Sequence, residues 1–209
     1  MQIERIPIQF NFIEPVLGSL PADPDVYTKY IASKAPAPWQ QDEEVVAAEE
    51  AAIKEDSGRM EKGLTVFAQD ENGLFFYDYH VKGFIKEAGN TMKETVKIKN
   101  LRSKIDNYLF IQPRRIYLRR PDGSHVTEED GILERPLRAQ TMKGPRVSLA
   151  ASEKINLPVC LQFTIEVLEN GKDVSWKVIR ELLDYGRYKG LGQWRNGSWG
   201  RFKWERIPE

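Results

Sequence analysis

The chain has 209 residues, no net formal charge at pH 7, 41% hydrophobic residues and 30% charged residues. This composition predicts a soluble globular protein with a sizeable core, and the zero net charge argues against a protein that coats nucleic acid through bulk charge. A single cysteine, Cys160, excludes an internal disulfide and, with no signal peptide, favours a reducing, cytoplasmic compartment. No apolar run approaches the roughly 20 residues of a membrane span, so we expect no membrane partner.

The charges are unevenly distributed along the chain. Residues 40–63 hold eight acids and three bases, residues 92–120 hold nine bases and two acids, and residues 185–206 hold six bases and one acid. Such asymmetry predicts one acidic segment and separate basic surfaces.

The first part of the chain contains one clear strand and one acidic segment. Apolar residues alternate with others over residues 6–12, which predicts a strand with one buried face. Residues 41–56 predict an acidic helix whose thin apolar stripe places it at the periphery or in a mobile arm. A solvated face is the usual role of such a helix, and a partner-binding arm or nucleic-acid mimic is the alternative. Residues 64–79 predict a hairpin.

The middle of the chain changes from a helical to an extended pattern. Apolar residues at helical spacing predict a helix over residues 80–92, with Lys82 and Lys86 adjacent to each other off its apolar face. Residues 93–107 follow as a basic, irregular region. Residues 108–120 predict two strand segments.

The last part of the chain is predicted to contain a loop, a strand, a helix and a final strand. Residues 127–146 predict a loop, and strict alternation over residues 157–168 predicts a strand. A helix is predicted to begin at Asp173, which would cap it. A glycine-rich loop and a last strand over residues 201–207 follow.

Together these elements follow the order strand, helix, strand, strand, helix, strand. We therefore expect an α+β fold of the ferredoxin-like (RRM-like) type, an antiparallel βαββαβ sheet with both helices on one face. Residues 1–209 would form a single domain, and residues 14–79 would be an insertion between the first strand and the first helix.

The segment Tyr185–Arg206 has the most unusual composition, with five glycines, six aromatic residues and six bases. Glycine lets a backbone approach a partner closely, bases meet phosphates, and aromatic faces stack on nucleobases. The segment therefore predicts a nucleic-acid contact. A structural role, with Trp194, Trp199 and Trp204 anchored in the core, and a protein-docking role are the alternatives.

The helix, glycine-rich loop and strand over Asp173–Ile207 resemble the RAMP superfamily, the repeat-associated RNA-binding proteins of CRISPR systems. The segment His80–Gly89, with Lys82-Gly83 near its start, is similar to that family's first helix. In the family, the loop lies against RNA backbone and the first helix can face RNA. The resemblance therefore implies RNA contacts from Lys82, Lys86, Lys189, Gln193, Trp194, Arg195 and Arg201.

Further bases extend this candidate site. Arginines of the predicted strand 114–120 and bases of the predicted loop 127–146 could share one phosphate-binding track, whose affinity should fall with salt. A solvated strand edge is the alternative. The additional candidates are Arg114, Arg115, Arg119, Arg138, Lys143, Arg146 and Trp199.

These features favour non-catalytic binding of single-stranded RNA, or single-stranded DNA, with no cofactor and no metal. His80 offers an alternative, a metal-independent endoribonuclease in which it acts as general base. A structural histidine is the commoner role. Two histidines and one cysteine are too few for the usual zinc site.

A second resemblance is to small proteins encoded by phages and prophages. It rests on residues 14–19, 30–36, 137–141 and 190–195, and implies a viral or mobile-element origin. A third functional hypothesis follows, a phage protein that binds a host or phage protein complex, such as an inhibitor of a CRISPR-type defence system. Its binding arm would be the acidic helix 41–56.

Overall fold

The largest sheet is organised around β1 (Ile3–Phe12) and β11 (Cys160–Leu168), which pair antiparallel along almost their whole lengths. This computed structural model describes residues 3–22, 63–141, 144–168 and 173–208. The even-numbered residues from Ile6 to Phe12 are buried, because alternate side chains of a strand share one face. The last strand, β12 (Phe202–Arg206), pairs antiparallel with the other edge of β1.

Two consecutive strands share the remaining edge of β11. These are β7 (Leu109–Gln112) and β8 (Arg115–Arg119), separated by a cis peptide bond between Gln112 and Pro113. Next to β8 lies β6 (Gly73–Tyr77), and β5 (Ala68–Asp70) pairs with β6. The strand order is therefore β12-β1-β11-β8-β6-β5, with β7 also paired to β11.

A second sheet of five strands has β10 (Gly144–Ile155) at its centre. The strand β9 (Gly131–Thr141) pairs antiparallel along β10. Near the C-terminal end of β10, β2 (Val16–Leu17) pairs antiparallel and β4 (Leu64–Val66) pairs parallel. The short strand β3 (Leu20–Pro21) completes this sheet beside β4.

The strands β9 and β10 form a hairpin that extends beyond the second sheet. Among the described strands, β10 pairs with strands other than β9 only within residues 151–155. At about 3.3 Å per residue, the outer parts of the two strands, residues 135–141 and 144–150, are each about 20 Å long. The prediction of a loop over residues 127–146 was therefore wrong. Charged residues, Pro136 and Pro145 interrupt the apolar alternation that identifies a strand.

Two helices, α1 (Asp78–Thr91) and α4 (Trp176–Asp184), cover one face of the large sheet. Phe84 of α1 packs edge-on against Phe10 and Phe202, at ring-centroid distances of 6.3 and 5.0 Å. The residues that α4 contributes to the same core are Val178, Ile179, Leu182 and Leu183. No described helix is long and apolar enough to cross a membrane.

Two shorter helices, α2 (Lys93–Val96) and α3 (Leu101–Tyr108), follow α1. They lie where an irregular region was predicted, so that prediction was wrong. Lys97 and Asn100 between them adopt left-handed φ angles of 57° and 55°. These two residues divide the segment into helices too short for a helical period to stand out in the sequence.

The predicted α+β class is confirmed, since the described residues form four α-helices beside mostly antiparallel sheets. The predicted single four-stranded sheet is wrong, because the described residues form sheets of seven and five strands. Within the predicted hairpin 64–79, β5 and β6 pair around Glu71-Asn72, whereas β4 joins the second sheet. The predicted acidic helix 41–56 lies outside the described residues.

Candidate nucleic-acid interface

The glycine-rich loop, residues 186–200, is held to the body of the protein by its own backbone. The N–H of Leu191 donates to the carbonyl of Gly200 over 2.9 Å, which closes the loop on itself. The N–H of Gly200 donates to the carbonyl of Pro15 over 2.9 Å, and that of Gln193 to Leu17 over 3.3 Å. Because four backbone groups of the loop have fixed partners, the loop presents its side chains from a defined frame.

The glycines of this loop allow close contacts inside the protein. A Cβ on Gly190 would lie 2.2 Å from the carbonyl oxygen of Trp199, and one on Gly192 would lie 2.4 Å from that of Leu17. Gly200 has φ +66°, and a Cβ there would lie 1.9 Å from the carbonyl oxygen of Leu191. Internal packing therefore accounts for these three glycines without a bound partner.

The tryptophans divide into two kinds. Trp204 packs against the core and its indole N–H donates to Asp184 over 3.0 Å. Trp194 and Trp199 are each half-buried on the loop, and Trp194 adopts a left-handed φ of 48°. All three side chains are half-buried, and of the three Trp204 alone is among those packed against the core.

The cations of the loop meet α1 at one carboxylate. Glu87 Oε1 forms an ion pair with Lys189 Nζ at 3.0 Å, and Glu87 Oε2 forms one with Arg195 Nη1 at 2.6 Å. Lys189 also donates to Asn196 Oδ1 over 2.8 Å. Burial raises the pKa of Glu87, but the bond from Lys189 and the positive charge of Arg195 outweigh it, so the pKa lies below its ordinary value. We call Glu87, Lys189 and Arg195 the Glu87 cluster.

The two lysines of α1 meet a second carboxylate, on α3. Lys86 Nζ lies 2.9 Å from Asp106 Oδ2, and Lys82 Nζ donates to the backbone carbonyl of Asp106 over 2.9 Å. Lys82 Nζ also lies 4.8 Å from the ring centroid of Phe110. Burial lowers the pKa of Lys82, and the charge of Asp106 offsets this only in part. Both lysines predicted on α1 are therefore paired within the protein.

Arg135, on the hairpin, was not among the candidates but lies against the loop. A Cβ on Gly197 would be 3.0 Å from Arg135 Nη1. Contact between residues 62 positions apart in sequence could not be read from either segment alone. Arg201, the last predicted cation of the loop, pairs with Glu14 at 2.6 Å.

Two predicted bases, Arg138 and Arg146, lie in the outer part of the hairpin. Arg138 is opposite Val147 on β10, and Arg146 is opposite Ala139 on β9. Lys143 lies outside the described residues. The backbone thus places Arg138 and Arg146 beyond Arg135, along the same ribbon.

The arginines of β8 lie on the opposite face of the large sheet. Ile116 and Leu118 are buried under the helices, so the odd-numbered residues of β8 face away from them. Arg115 pairs with Asp70 at 2.8 Å, and Arg119 donates to the carbonyl of Gly123 over 3.2 Å.

The guanidinium of the preceding Arg114 lies 5.7 Å from the ring centroid of Tyr77. The predicted track from Arg114, Arg115 and Arg119 to the loop is therefore not continuous on one surface.

His80 lies in the first turn of α1, which begins two residues before the predicted start of the helix. Its Nε2 is 3.4 Å from Ser19 Oγ, and its ring packs beside Phe76 and Tyr79 at centroid distances of 5.4 and 4.5 Å. Within residues 3–22, 63–141, 144–168 and 173–208, no group of three or more His, Cys, Asp or Glu side chains could hold a metal ion.

Comparisons with known proteins find similarity in structure only. A chain of the Type III-B Cmr-beta, solved by cryo-electron microscopy bound to cognate target RNA, is similar with a TM-score of 0.50 and 11% sequence identity. The match covers 99% of this chain but 61% of that chain. No protein-family model and no curated protein matches the sequence. At this identity the likeness concerns the fold alone.

Two glycine substitutions test the packing role of the loop. Gly190→Ala should lower the free energy of unfolding by about 2–3 kcal/mol, because the new Cβ would overlap backbone atoms. Gly83→Ala, in α1 with nothing within 4 Å of its added Cβ, should raise it by about 0.5–1 kcal/mol. Urea unfolding of both variants measures the difference, and equal effects would contradict the packing argument.

The Glu87 cluster predicts a pH-dependent contribution to stability. The folded-state pKa of Glu87 lies below its ordinary value of 4.5, so its contribution is complete above about pH 4.5 and is lost as the pH falls through the folded-state pKa. Glu87→Gln should lower the free energy of unfolding by about 1 kcal/mol at neutral pH.

Denaturant titrations at several pH values measure this loss of unfolding free energy in Glu87→Gln. The loss should become smaller below about pH 4.5. Glu94→Gln, an exposed acid on α2, is the control. A deficit that persists in acid would show that Glu87 does not act through its charge.

Proposed function

We propose that this protein binds single-stranded RNA without cleaving it, with single-stranded DNA as the alternative ligand. The binding surface would comprise the loop 186–200, the adjoining cations of α1 and the β9–β10 hairpin. The observation that carries this proposal is the position of Arg135 against Gly197, which brings the hairpin beside the loop. Cations from two distant segments thereby adjoin two half-buried tryptophans.

The strand order supports a related proposal about the fold, a ferredoxin-like core within the larger sheet. The strands β12, β1, β11 and β7/β8 lie side by side in that order, with α1 and α4 on one face. Along the chain they occur as strand, helix, strand, strand, helix, strand, the split βαβ order. We propose that β5, β6 and the second sheet are additions to this core, and that it is of the RAMP type.

The chemistry of the surface suits a strand whose bases are accessible. Trp194 and Trp199 offer ring faces, and stacking of a base on an aromatic ring contributes about 1–3 kcal/mol whatever the base. Lys189, Arg195 and Arg135 can meet phosphates beside those rings. A duplex hides its base faces, so we expect it to bind less tightly than a single strand.

The likeness to a chain of an RNA-bound complex agrees with this ligand but concerns the fold alone. The non-catalytic part of the proposal requires neither a metal nor a cofactor. His80, the base of the alternative nuclease hypothesis, is packed beside Phe76 and Tyr79. From the four phage-like segments, which include 14–19 and 190–195, we also propose a phage or mobile-element origin. These two segments contact each other through Leu17 and Gln193.

Removal of two half-buried side chains of the loop tests the site. The double variant Trp194→Ala/Arg195→Ala should bind labelled single-stranded RNA at least about tenfold more weakly, since it lacks one stacking platform and one phosphate contact. Fluorescence anisotropy across a salt series measures this, after co-purifying nucleic acid has been removed. The control Lys177→Ala/Arg180→Ala changes exposed residues of α4. Unchanged affinity of the loop variant would reject this site.

Substitution of Glu87 gives a second test, in which RNA affinity is expected to rise rather than fall. Phosphates that bind Lys189 and Arg195 must compete with the Glu87 carboxylate. Glu87→Gln removes that competitor, so RNA affinity should rise about threefold to tenfold while stability falls, an effect of about 0.6–1.4 kcal/mol on binding. The same anisotropy series measures the change. Weaker RNA binding by a folded Glu87→Gln protein would contradict the assignment of Lys189 and Arg195 to phosphate binding.

A further inference from the structure

The cations of this protein differ in whether an acid neutralises them. Lys82 and Lys86 share Asp106, Lys189 and Arg195 share Glu87, and Arg115 and Arg201 each have a carboxylate partner. In the part of the chain that the structure describes, four neighbouring bases have no acid partner. They are Lys93, Lys97, Lys99 and Arg102.

These four bases line one cleft. The cleft has a volume of about 900 Å³ and lies between the C-terminal half of α1, α2 and the first turns of α3. Lys86 also lines it, together with the polar side chains of Asn90, Asn100 and Ser103. The acids of its lining are Glu94 and Asp106, and Asp106 is already bound by Lys86.

The segment that carries these bases is fixed in place rather than loosely attached. Leu101 is buried, and Val96 and Ile98 pack partly buried against the core, while Lys97, Lys99 and Arg102 between and beside them are exposed. Lys97 and Asn100 adopt left-handed φ angles of 57° and 55°, which turn the chain between α2 and α3. The fold therefore holds these like charges along one cleft, and a bound anion would offset their mutual repulsion.

The nature of the lining favours phosphate groups over a protein segment. Cations and neutral hydrogen-bond donors dominate the lining. Its apolar residues are Ile98, which is partly buried against the core, and Leu101, which is buried in it. Protein interfaces place aromatic or aliphatic anchors at their centre, whereas nucleic-acid backbones are held by Lys, Arg, Asn and Ser. A volume of about 900 Å³ is in the range of ligand-sized clefts.

We propose that this cleft binds the phosphate backbone of single-stranded RNA, as a second contact separate from the loop. This inference rests on the proposed function and names a further site for the same ligand. Lys86 lines the cleft, and the next residue of α1, Glu87, contacts the loop. The two sites therefore adjoin along α1, and one strand can reach both. In the cleft, phosphates need not displace a carboxylate from the four unpaired bases.

The test uses the full chain and a labelled single-stranded RNA of mixed sequence. The cleft variant Lys93→Gln/Lys97→Gln/Lys99→Gln/Arg102→Gln removes four positive charges. The matched control Lys177→Gln/Arg180→Gln/Lys203→Gln/Arg206→Gln removes four exposed charges from α4 and β12. Both variants are first compared with the parent protein by thermal unfolding, so that only folded proteins are analysed.

The expected result is that RNA binding by the cleft variant depends less steeply on salt concentration. Each lost phosphate contact should reduce the slope of log K against log salt by about 0.7, so the cleft variant should lose about 2–3 and the control less than about 1. Affinity of the cleft variant at low salt should fall by about tenfold or more. Equal slopes for the cleft variant and the parent protein, or an equal loss in the control, would overturn the inference.

The outcomes separate this inference from the proposed function. Amide chemical shifts recorded with the same RNA should change at residues 93–103 as well as at residues 186–201. Changes confined to 186–201 would overturn the cleft and leave the loop site standing. Changes confined to 93–103, with full affinity in the Trp194→Ala/Arg195→Ala protein, would reject the loop site and support the cleft. Absence of RNA binding by the parent protein at low salt would overturn both.

Discussion

The packing of three phenylalanines, Phe10, Phe84 and Phe202, fixes the geometry on which the candidate surface depends. Phe10 and Phe202 stack with centroids 3.8 Å apart across β1 and β12, and Phe84 closes on both from α1. A Cβ on Gly186 would lie 2.3 Å from the ring of Phe202, so the loop begins directly over this cluster. Once Phe84 is buried, helical periodicity directs Lys82, Lys86 and Glu87 outwards. Burial of apolar rings thus determines where the charges of α1 are placed.

Acidic side chains pair with several of the bases that the sequence predicted to bind nucleic acid. Glu87 and Asp106 each hold two bases, and Asp70 and Glu14 each hold one more. Surface ion pairs of this kind contribute little to stability individually, typically about 0–1 kcal/mol. Their larger effect is on the electrostatic field, because each carboxylate reduces the positive potential around the bases that it pairs with. Sequence composition alone weights all of these cations equally.

Much of the core could be predicted from the sequence, because burial leaves a regular pattern there. The strands β1 and β11 alternate strictly, and the buried residues of α1 follow helical spacing. The β9–β10 hairpin could not be predicted this way, because its strands carry charged residues and prolines where alternation would be expected. The division of the predicted bases into two faces also depends on strand pairing, which brings together residues far apart in sequence.

For the same reason, only part of the candidate site could be predicted from the sequence. Composition identified the loop 186–200 and its aromatic residues, and spacing identified Lys82 and Lys86. The partners of these bases, Glu87 and Asp106, carry no local signal that marks them, since an acid beside a lysine on a helix is common. The position of Arg135 beside the loop depends on the tertiary position of the hairpin. The close packing of the loop glycines depends on the path of residues 15–17. Neither can be predicted from the local sequence.

The Glu87 cluster also affects how long a bound strand would stay. A carboxylate fixed to the same helix acts as a tethered competitor, present at a high effective concentration beside Lys189 and Arg195. When a phosphate begins to leave, the carboxylate can take its place without passing through a state of bare, separated charges. Dissociation by such stepwise exchange is faster than dissociation from unpaired bases, so the loop would release and recapture its strand frequently. Under the proposed function, such exchange would let the protein move along a nucleic acid while remaining associated with it.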